Sequence, residues 1–365
     1  MRILMLSWRG PHHPSRGGAE VYTEQLLRGL AERGHHVTWY SAGYRCAPGV
    51  DLPKLLDPSI RLHYGAPGLG VYQSGHQWGL HHSAAFDVII DQINTFGFRI
   101  PTMQNTAVIA LIHQLADDVW DATFSWPLNV LGRTLEKYVL NQYQHHPFIA
   151  VSQGTFDDVR AHGWTGPGYI IRNAVALKPT VPKTQHPSMC FVGRFNHPTK
   201  RLDHAIDIFR RVRREIPHAE LRVIGRGVAP PRNQWPTGVH YYTDVPDEER
   251  DYLLGESWLC LATSVREGWG RMVTEAAAAG TPAIVYDVPG LREAVVDGRT
   301  GAVLRVNSEL ASATICDLLM NPQRLRTWGH QARALAGNWT ANDAAARTEE
   351  LLERLKTLHY RKVSL

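Results

Sequence analysis

The sequence lacks any long hydrophobic run, since none approaches the roughly 18 apolar residues that a membrane-spanning helix needs. It also lacks low-complexity segments, and with 44% hydrophobic and 20% charged residues its composition is typical of a soluble globular protein. The first residues, Met1–Ser7, are too few for a signal peptide and have the pattern of a strand. We therefore expect a soluble chain in the cytoplasm, with association to a membrane surface left open as an alternative.

Cysteine is scarce, and the spacing of Cys46, Cys190, Cys260 and Cys316 fits neither a zinc site nor a redox pair. Thiols scattered in this way suit small core residues in a reducing compartment. Histidine is plentiful, but adjacent residues rarely bind one ion, so the neighbouring pairs are poor ligand sets. The most conspicuous pairs are His12-His13, His81-His82 and His145-His146. A D-x-D pair for a divalent ion is missing as well. We expect no metal and no cofactor.

Net charge is absent from the first half of the chain. Residues 1–173 hold 13 Lys and Arg against 13 Asp and Glu, so the whole net charge of +5 lies in residues 174–365. The second half is therefore the better candidate for binding an anion. No basic stripe with interleaved aromatic residues is present, which argues against nucleic acid as a partner.

At 365 residues the chain is long enough for two domains, and its pattern repeats a strand-helix alternation twice. An apolar strand at 2–7, a helix over 19–33 and a strand at 36–41 form a β-loop-α-β unit, which predicts a parallel sheet. Further apolar runs and a helix at about 127–143 continue this half; the runs lie at 87–91, 108–112 and 148–151. Its first loop has only Gly17-Gly18 where a dinucleotide site has G-x-G-x-x-G, which argues against a nicotinamide oxidoreductase.

A polar, proline-bearing stretch over 174–187 has the composition of a linker, and the alternation restarts after it. Strands are predicted at 189–192, 221–224, 239–242, 258–262 and 283–286. The stretch Arg266–Gly280 is the most suggestive part of this half, because a glycine-flanked loop runs into a short Ala-rich helix. Free N–H groups at such a helix start can bind an anion. Glu267 and Glu275 add two carboxylates that can accept hydrogen bonds from hydroxyl groups, so a nucleotide sugar fits this combination.

Taken together, the motifs resemble those of glycosyltransferase family 4, a group of retaining, nucleotide-sugar-dependent enzymes with the GT-B fold. The resemblance covers nearly the whole chain, and it is the order of the motifs that makes it specific. The motifs are Gly17–Glu20, Leu30–Val37, Gly193–Phe195 with Lys200, Glu267-x7-Glu275, Asp287–Gly290 with Glu293, and Asp297–Gly301.

The resemblance implies an α/β protein of two doubly wound Rossmann-like domains that face a central cleft, with a C-terminal helix that crosses back to the N-terminal domain. We expect the acceptor-side domain over residues 1–175, completed by 341–365. The donor-binding domain is expected over residues 176–340.

The resemblance also implies roles for single residues. Arg194 and Lys200 would hold the donor diphosphate, Glu275 would accept the ribose hydroxyls, and Glu267 would bind hydroxyls of the transferred sugar. The base is expected near Arg226 and Thr243. The full donor-binding set is Gly17, Gly18, Arg194, Lys200, Arg226, Thr243, Gly268, Trp269, Gly270, Arg271, Met272 and Glu275.

His113 follows a predicted strand at the edge where open α/β sheets place their ligands. In the family that this chain resembles, a histidine here lies close to the donor sugar. The expected catalytic residues are therefore His113, Glu267, Arg194 and Lys200. Acceptor contacts are expected from His12, His13 and Trp120 in the first half.

The activity that the resemblance implies is transfer of a hexose-type sugar, with retention, from a nucleotide-diphosphate sugar to a hydroxyl of a glycan, a lipid-linked acceptor or a small molecule. The partners would be that donor and that acceptor, without a metal ion. Two alternatives remain open from the sequence. One is a nucleotide-sugar epimerase on the GT-B fold, and the other is a non-catalytic carbohydrate-binding protein on the same fold.

Overall fold

The computed structural model describes residues 1–13, 16–43, 59–103 and 106–363. The chain forms two compact units. The first comprises Met1–Asp117, Trp126–Ala174 and Ala341–Leu365, and the second comprises Asp118–Ser125 and Val175–Thr340. Compared with the expected boundaries, the junction differs by one residue, and residues 118–125 belong to the second unit.

The first unit is built on a seven-stranded sheet in which every pairing is parallel. The strand order is β3-β2-β1-β4-β5-β6-β7, so the order reverses between β1 and β4. The strands are β1 (Arg2–Leu6), β2 (His36–Ala42), β3 (Ile60–Gly65), β4 (Val88–Ile93), β5 (Ala107–Ile112), β6 (Phe148–Ala150) and β7 (Gly168–Ile170). The predicted strands are present, whereas the half-exposed β3 and the three-residue β7 carry no apolar run that would have predicted them.

The helices of the first part of the chain are α1 (Gly18–Glu32), α2 (Gly70–His82), α3 (Asp117–Thr123), α4 (Leu128–Tyr143) and α5 (Gln153–Ala161), with short 3-10 turns at Ser83–Ala85 and Ile100–Thr102. Helix α1 buries the side that its helical spacing predicts, with Tyr22, Leu26 and Leu30 essentially inaccessible. The C-terminal helix α11 (Ala341–Val363) packs on α1 in the same unit. The approach is close, because a Cβ on Gly29 would lie 2.7 Å from the Ala345 Cβ.

The second unit has a six-stranded parallel sheet with the order β10-β9-β8-β11-β12-β13. The strands are β8 (Ser188–Val192), β9 (Glu220–Gly225), β10 (Val239–Thr243), β11 (Leu259–Ala262), β12 (Ala283–Tyr286) and β13 (Gly301–Leu304). The helices are α6 (Leu202–Glu215), α7 (Asp247–Glu256), α8 (Arg271–Ala278), α9 (Ser308–Leu319) and α10 (Pro322–Ala336), with 3-10 turns at Pro198–Lys200, Arg232–Gln234 and Arg292–Ala294. Because helices lie on both faces, the central strands β8, β11 and β12 are buried along nearly their whole length.

Both units are thus doubly wound α/β sheets, and the predicted fold class is confirmed. None of the helices in the described ranges is long and apolar enough to cross a membrane.

Candidate functional site

The candidate donor residues of the second unit gather at one edge of its sheet. Arg194 follows β8, Arg226 follows β9 and Glu267 follows β11, and these three strands are neighbours. Since the strands are parallel, their carboxyl ends lie on the same side of the sheet. The strand order reverses between β8 and β11, which is the position where open α/β sheets form a ligand crevice.

Glu267 and Lys200 form the centre of this edge. The Lys200 Nζ donates to Glu267 Oε1, and the same oxygen accepts a hydrogen bond of 2.7 Å from the Ser264 hydroxyl. Both charged side chains are mostly buried, with 25% of Lys200 and 15% of Glu267 exposed. The described contacts use one of the three N–H groups of the ammonium, so the pair places a cation with spare donors beside a fixed carboxylate.

Two glycines at positive φ set the conformation around Glu267, one in its own loop and one in a neighbouring turn. Gly270 is in the left-handed conformation with φ of +67° and caps the N-terminus of α8. Gly290, with φ of +79°, lies so close to the loop that a Cβ would be 2.1 Å from the Glu267 carbonyl oxygen. The Glu267 N–H donates to the Pro289 carbonyl at 3.2 Å, so the Pro289-Gly290 turn fixes the backbone of Glu267.

Within the expected sugar-binding stretch, the side chains of Trp269 and Met272 face the protein interior. The Trp269 ring meets the Trp339 ring edge-on, with centroids 5.1 Å apart. Gly268 is half-buried in the loop. Because both side chains are buried, Trp269 and Met272 can contact a ligand mainly through their backbone atoms.

Glu275 lies on α8, one helical turn after Arg271, and is nearly buried. Its Oε1 accepts from Arg271 Nη2 at 2.7 Å, and its Oε2 lies 4.0 Å from Arg250 Nε. Burial acts to lower the pKa of Arg250, but the charges of Glu275 and of two aspartates on α7 raise it overall. Glu275 therefore lies beside two guanidinium groups, and its remaining lone pairs can accept hydroxyl donors.

Arg194 is exposed, and its carbonyl accepts from the His197 N–H at 3.2 Å. His197 is a member of this edge that the sequence analysis does not single out. Its Nδ1 lies 2.7 Å from the Thr199 hydroxyl. Burial lowers the pKa of His197, and the charges of Arg194 and Lys200 lower it further. The imidazole is therefore neutral at pH 7, so the local positive charge comes from Arg194 and Lys200.

Arg226 and Thr243 lie further along the same edge, after β9 and at the end of β10. The Asp244 N–H donates to the Gly225 carbonyl at 2.9 Å, which ties the two strand ends together. The Arg226 Nε lies 3.9 Å from Asp244 Oδ1, and more than half of each side chain is exposed. The structure thus brings Arg226 and Thr243 together on the surface.

In the first unit, Gly17 and Gly18 stand at the N-terminus of α1, as expected. The Gly17 N–H is already occupied, because it donates to Glu20 Oε2 at 2.7 Å. This capping contact was not anticipated, and it makes Glu20 an acidic residue buried at the helix start.

His113 follows β5 at the carboxyl edge of the first sheet, next to the end of β4. Its Nε2 lies 2.8 Å from Gln92 Nε2, and the Gln92 Oε1 lies 3.1 Å from the Thr23 hydroxyl. With the amide in this orientation, Gln92 donates to His113 Nε2, so that this ring nitrogen carries no proton. The Tyr22 ring meets the imidazole edge-on at 5.2 Å. Gln92 and Tyr22 thus fix the ring of His113, and neither was predicted from the sequence.

The three expected acceptor-side residues are not brought together in one unit. His12 lies in the first unit, where its Nδ1 is 2.6 Å from the Tyr64 hydroxyl. Burial lowers the pKa of the neighbouring His13, with the charge of Arg9 as the second cause. Trp120 belongs to the second unit, on α3, where it packs on Phe124 with centroids 5.6 Å apart.

Among the residues that the structure describes, no group of three or more His, Cys, Asp or Glu side chains could hold a metal ion. Of the scattered cysteines, Cys190 and Cys260 are in fact register partners on β8 and β11, buried in the core. Cys46 lies outside the described residues.

Comparison with known proteins identifies two families along the chain. The profile described as Glycosyltransferase Family 4 matches residues 16–178, and the profile described as Glycosyl transferases group 1 matches residues 176–335. Together they cover the greater part of both units.

Among individual relatives, a phosphatidyl-myo-inositol mannosyltransferase of Propionibacterium freudenreichii subsp. shermanii is 32% identical over 203 residues. That alignment covers 52% of this chain and 51% of the relative, so the chain spans about half the length of that protein. A glycogen synthase of Mycobacterium tuberculosis is 24% identical over 347 residues, covering 82% of this chain and 81% of that protein.

Among solved structures, a sucrose-phosphate synthase from Thermosynechococcus elongatus matches with a TM-score of 0.80 and 19% identity, covering 98% of this chain and 99% of that one. HepE from Anabaena, in complex with UDP and glucose, matches with a TM-score of 0.75 and 16% identity, covering 97% and 100%. At these identities the likeness establishes the fold.

Proposed function

The chain belongs to the GT-B glycosyltransferases of family 4, and from this premise we propose that it transfers a hexose-type sugar, with retention, from a nucleotide-diphosphate sugar to an acceptor hydroxyl. The observation that carries the proposal is the Lys200–Glu267 pair, placed with the exposed Arg194 at the switch point of the second sheet. The HepE structure, which contains UDP and glucose, supports a donor of this class.

The donor diphosphate would bind Arg194 and Lys200, since a guanidinium can grip phosphate oxygens in pairs and an ammonium adds a compact charge. The hydroxyls of the sugar would bind Glu267, whose orientation Lys200 and Ser264 already fix. The ribose hydroxyls would bind the remaining lone pairs of Glu275.

The reaction would break the bond between the anomeric carbon and the β-phosphate oxygen and form a bond from the acceptor oxygen to the same face of that carbon. The departing diphosphate gains negative charge in this step, and it would take the proton of the acceptor hydroxyl. Arg194 and Lys200 stand where that charge develops, so they would stabilise the transition state by preorganised electrostatics. No side chain needs to form a covalent intermediate.

His113 would contact the donor sugar. Its ring is held by Gln92 and Tyr22, and its carbonyl accepts a hydrogen bond of 3.0 Å from the Thr155 hydroxyl. A residue that positions a sugar must itself be fixed, and these contacts meet that requirement.

We also propose that transfer needs no metal ion, because Arg194 and Lys200 supply the positive charge that a divalent cation would otherwise bring to the diphosphate. Transfer rates in the presence and absence of EDTA test this statement. Equal rates are expected, and loss of activity that added Mg²⁺ or Mn²⁺ restores would contradict it.

The proposal is tested by titrating the chain calorimetrically with a panel of UDP-, GDP- and ADP-sugars and then incubating the best donor with acceptor sugars and lipids. We expect one donor class to bind and the sugar to move to an acceptor. A new nucleotide sugar formed from the donor alone would instead indicate an epimerase. The absence of donor binding across the panel would indicate a non-catalytic protein.

A further inference from the structure

The carboxylate of Glu275 is flanked by two arginines, and one of them, Arg250, comes from a different helix. Arg271 lies one turn earlier on α8 and donates to Glu275 Oε1 at 2.7 Å. Arg250 lies on α7, and its Nε is 4.0 Å from Glu275 Oε2. At this distance Oε2 faces a cation without accepting a hydrogen bond from it. This oxygen is therefore the one best placed to accept the hydroxyl groups of a ligand.

The guanidinium of Arg250 is fixed by two carboxylates of its own helix. Its Nη1 donates to Asp247 Oδ1 at 2.7 Å, and its Nη2 and Nε donate to Asp251 Oδ1 at 2.9 and 3.3 Å. The side chain of Asp247 is 84% exposed, whereas that of Asp251 is mostly buried. Since these hydrogen bonds all run within α7, Arg250 acts on Glu275 through its charge and not through a hydrogen bond.

Asp251 is held in turn by Lys178, which belongs to the stretch before β8. The Lys178 Nζ lies 2.6 Å from Asp251 Oδ2. The backbone of Lys178 is also anchored, because its N–H donates to the Ala278 carbonyl at 3.2 Å and its carbonyl accepts from Arg333 Nη1 at 2.5 Å. The result is a row of five side chains of alternating sign, which we call the α7–α8 charge row: Lys178, Asp251, Arg250, Glu275 and Arg271.

The α7–α8 charge row is partly shielded from water and balanced in charge. Each of its five side chains is at most 23% exposed. Together with Asp247 it joins three cations to three carboxylates, so the loss of one cation leaves a carboxylate uncompensated. Pairs shielded in this way contribute little to stability, because desolvation offsets their attraction. The row reaches Glu275 on α8, the helix that begins at the carboxyl edge of the sheet, so its position points to a role in binding.

We propose that Arg250 is a positioning residue for the recognition of the donor ribose. It contacts no part of the donor. Its charge offsets the repulsion between Glu275 and the donor phosphates, and it keeps Glu275 Oε2 directed to the 2′- and 3′-hydroxyls. The inference rests on the proposed function, in which Glu275 binds the ribose hydroxyls. Arg250 thereby sets how strongly the chain prefers a ribonucleotide to a deoxynucleotide.

This preference is measured by isothermal titration of the full chain with UDP, GDP and ADP, and then with the 2′,3′-dideoxy form of the nucleotide that binds most tightly. The readout is the ratio of the two dissociation constants, since the loss of a positive charge weakens both diphosphates alike. The wild type should bind the ribose form at least roughly tenfold more tightly, because that form adds hydrogen bonds to a charged acceptor. Arg250→Gln should lower this ratio by roughly fivefold or more.

Three further variants separate this role from a structural one. The matched control is Arg211→Gln, which removes an arginine of the same unit that also pairs with two carboxylates, Asp207 and Glu309, and it should keep the wild-type ratio. Arg250→Lys keeps the positive charge and should retain most of the ratio. Glu275→Ala should lose most of the ratio, and adding Arg250→Gln to it should change the ratio no further.

Circular dichroism checks that each variant is folded, and Arg250→Met takes the place of Arg250→Gln if the latter is not. A wild-type ratio in the folded variant would overturn the proposal, as would an equal loss in Arg211→Gln or in Arg250→Lys. A further fall of the ratio in the Glu275→Ala background would also overturn it, because Arg250 would then contact the ribose itself.

Failure of the proposed function has a different result from failure of this inference. If the wild type binds none of the three nucleotides, the proposed function is wrong and the inference is overturned with it. If the wild type binds the ribose and dideoxy forms equally, donor binding stands, while the role of Glu275 and Arg250 in ribose recognition is overturned.

Discussion

Replacing Lys200 by alanine is the perturbation for which the structure makes the sharpest prediction. The ammonium is mostly buried, donates to Glu267 and has N–H groups left for a ligand. A hydrogen bond between charged groups contributes about 1.5–3 kcal/mol, so its loss alone should weaken donor binding by about 10- to 150-fold. Lys200→Ala also leaves the Glu267 carboxylate without its cation beside the donor phosphates, which adds repulsion to the lost attraction.

The double variant Lys200→Ala with Glu267→Gln tests this reasoning. It removes the unpaired carboxylate, so it should bind the nucleoside diphosphate more tightly than Lys200→Ala alone, although transfer stays low because the cation is still missing. A coupling of this kind between contacting residues appears as non-additivity in a double-mutant cycle. Isothermal titration with the nucleoside diphosphate gives the affinities, and a transfer assay with the best donor gives kcat/KM.

Arg324→Ala is the matched control, because it removes one positive charge of the same unit from an exposed pair with Asp317. Exposed pairs contribute at most about 1 kcal/mol, and this one is absent from the candidate site. Donor affinity should therefore be unchanged. Wild-type affinity in Lys200→Ala, or a further loss instead of a gain in the double variant, would refute the assignment of Lys200 to the diphosphate.

Three further predictions follow from the geometry. Gly290→Ala should displace the Glu267 loop and abolish donor binding, since its Cβ would lie 2.1 Å from the Glu267 carbonyl oxygen. The control is Gly298→Ala, which is also at positive φ but has no atom within 4 Å of the added Cβ, and it should retain donor binding. Calorimetry measures the donor affinity of both variants. Burial raises the pKa of Asp91 to about 7 from 3.8, so the contribution of Asp91 to the free energy of unfolding should fall by up to about 4 kcal/mol as pH rises from about 4 to about 7. Denaturant unfolding at each pH should therefore show that the stability of Asp91→Asn, measured relative to the wild type, increases over this range. Gln92→Glu places a carboxylate beside the His113 imidazole and favours its protonated form. The acidic limb of the pH–rate profile should therefore move to higher pH.

Each of these predictions has a clear contrary result. Equal donor affinity in the two glycine variants would mean that the Pro289-Gly290 turn does not position Glu267. Parallel curves of unfolding free energy against pH for the wild type and Asp91→Asn would show that the pKa of Asp91 is the same in the folded and unfolded states. An unshifted rate profile in Gln92→Glu would remove His113 from the proposed reaction.

The fold could be predicted wherever a buried strand or an amphipathic helix has a strong pattern. Helix α1 and the Ala-rich α8 follow directly from their spacing. Helix α2 does not, because Gly70, Gly75 and Gly79 lower its helix propensity. The structure explains two of those glycines, since a Cβ on Gly75 would lie 2.5 Å from Phe98 and one on Gly79 would lie 2.4 Å from Met103. Helix α2 is therefore stabilised by packing against the rest of the first unit, and its local sequence pattern does not predict it.

The charged residues of the candidate site could be predicted from sequence motifs, whereas the side chains that fix them through hydrogen bonds could not. The order of motifs points to Arg194, Lys200 and Glu267, but Ser264 and Gln92 are recognisable only from distances across the fold. The Gly17 N–H illustrates the same limit, because a free donor at a helix start is a fair expectation until Glu20 is seen to fill it. Residues 118–125 likewise join the second unit through tertiary contacts that a linear pattern does not contain.

The measurement that tests the central claim most directly is NMR of the product formed from the best nucleotide sugar and an acceptor. Retaining transfer predicts that the anomeric proton of the transferred sugar shows the same configuration as in the donor. The proposed roles of Glu267 and Lys200 also predict that Glu267→Ala and Lys200→Ala form little or no product under the same conditions. A product of inverted configuration, or an altered nucleotide sugar without transfer, would contradict the account.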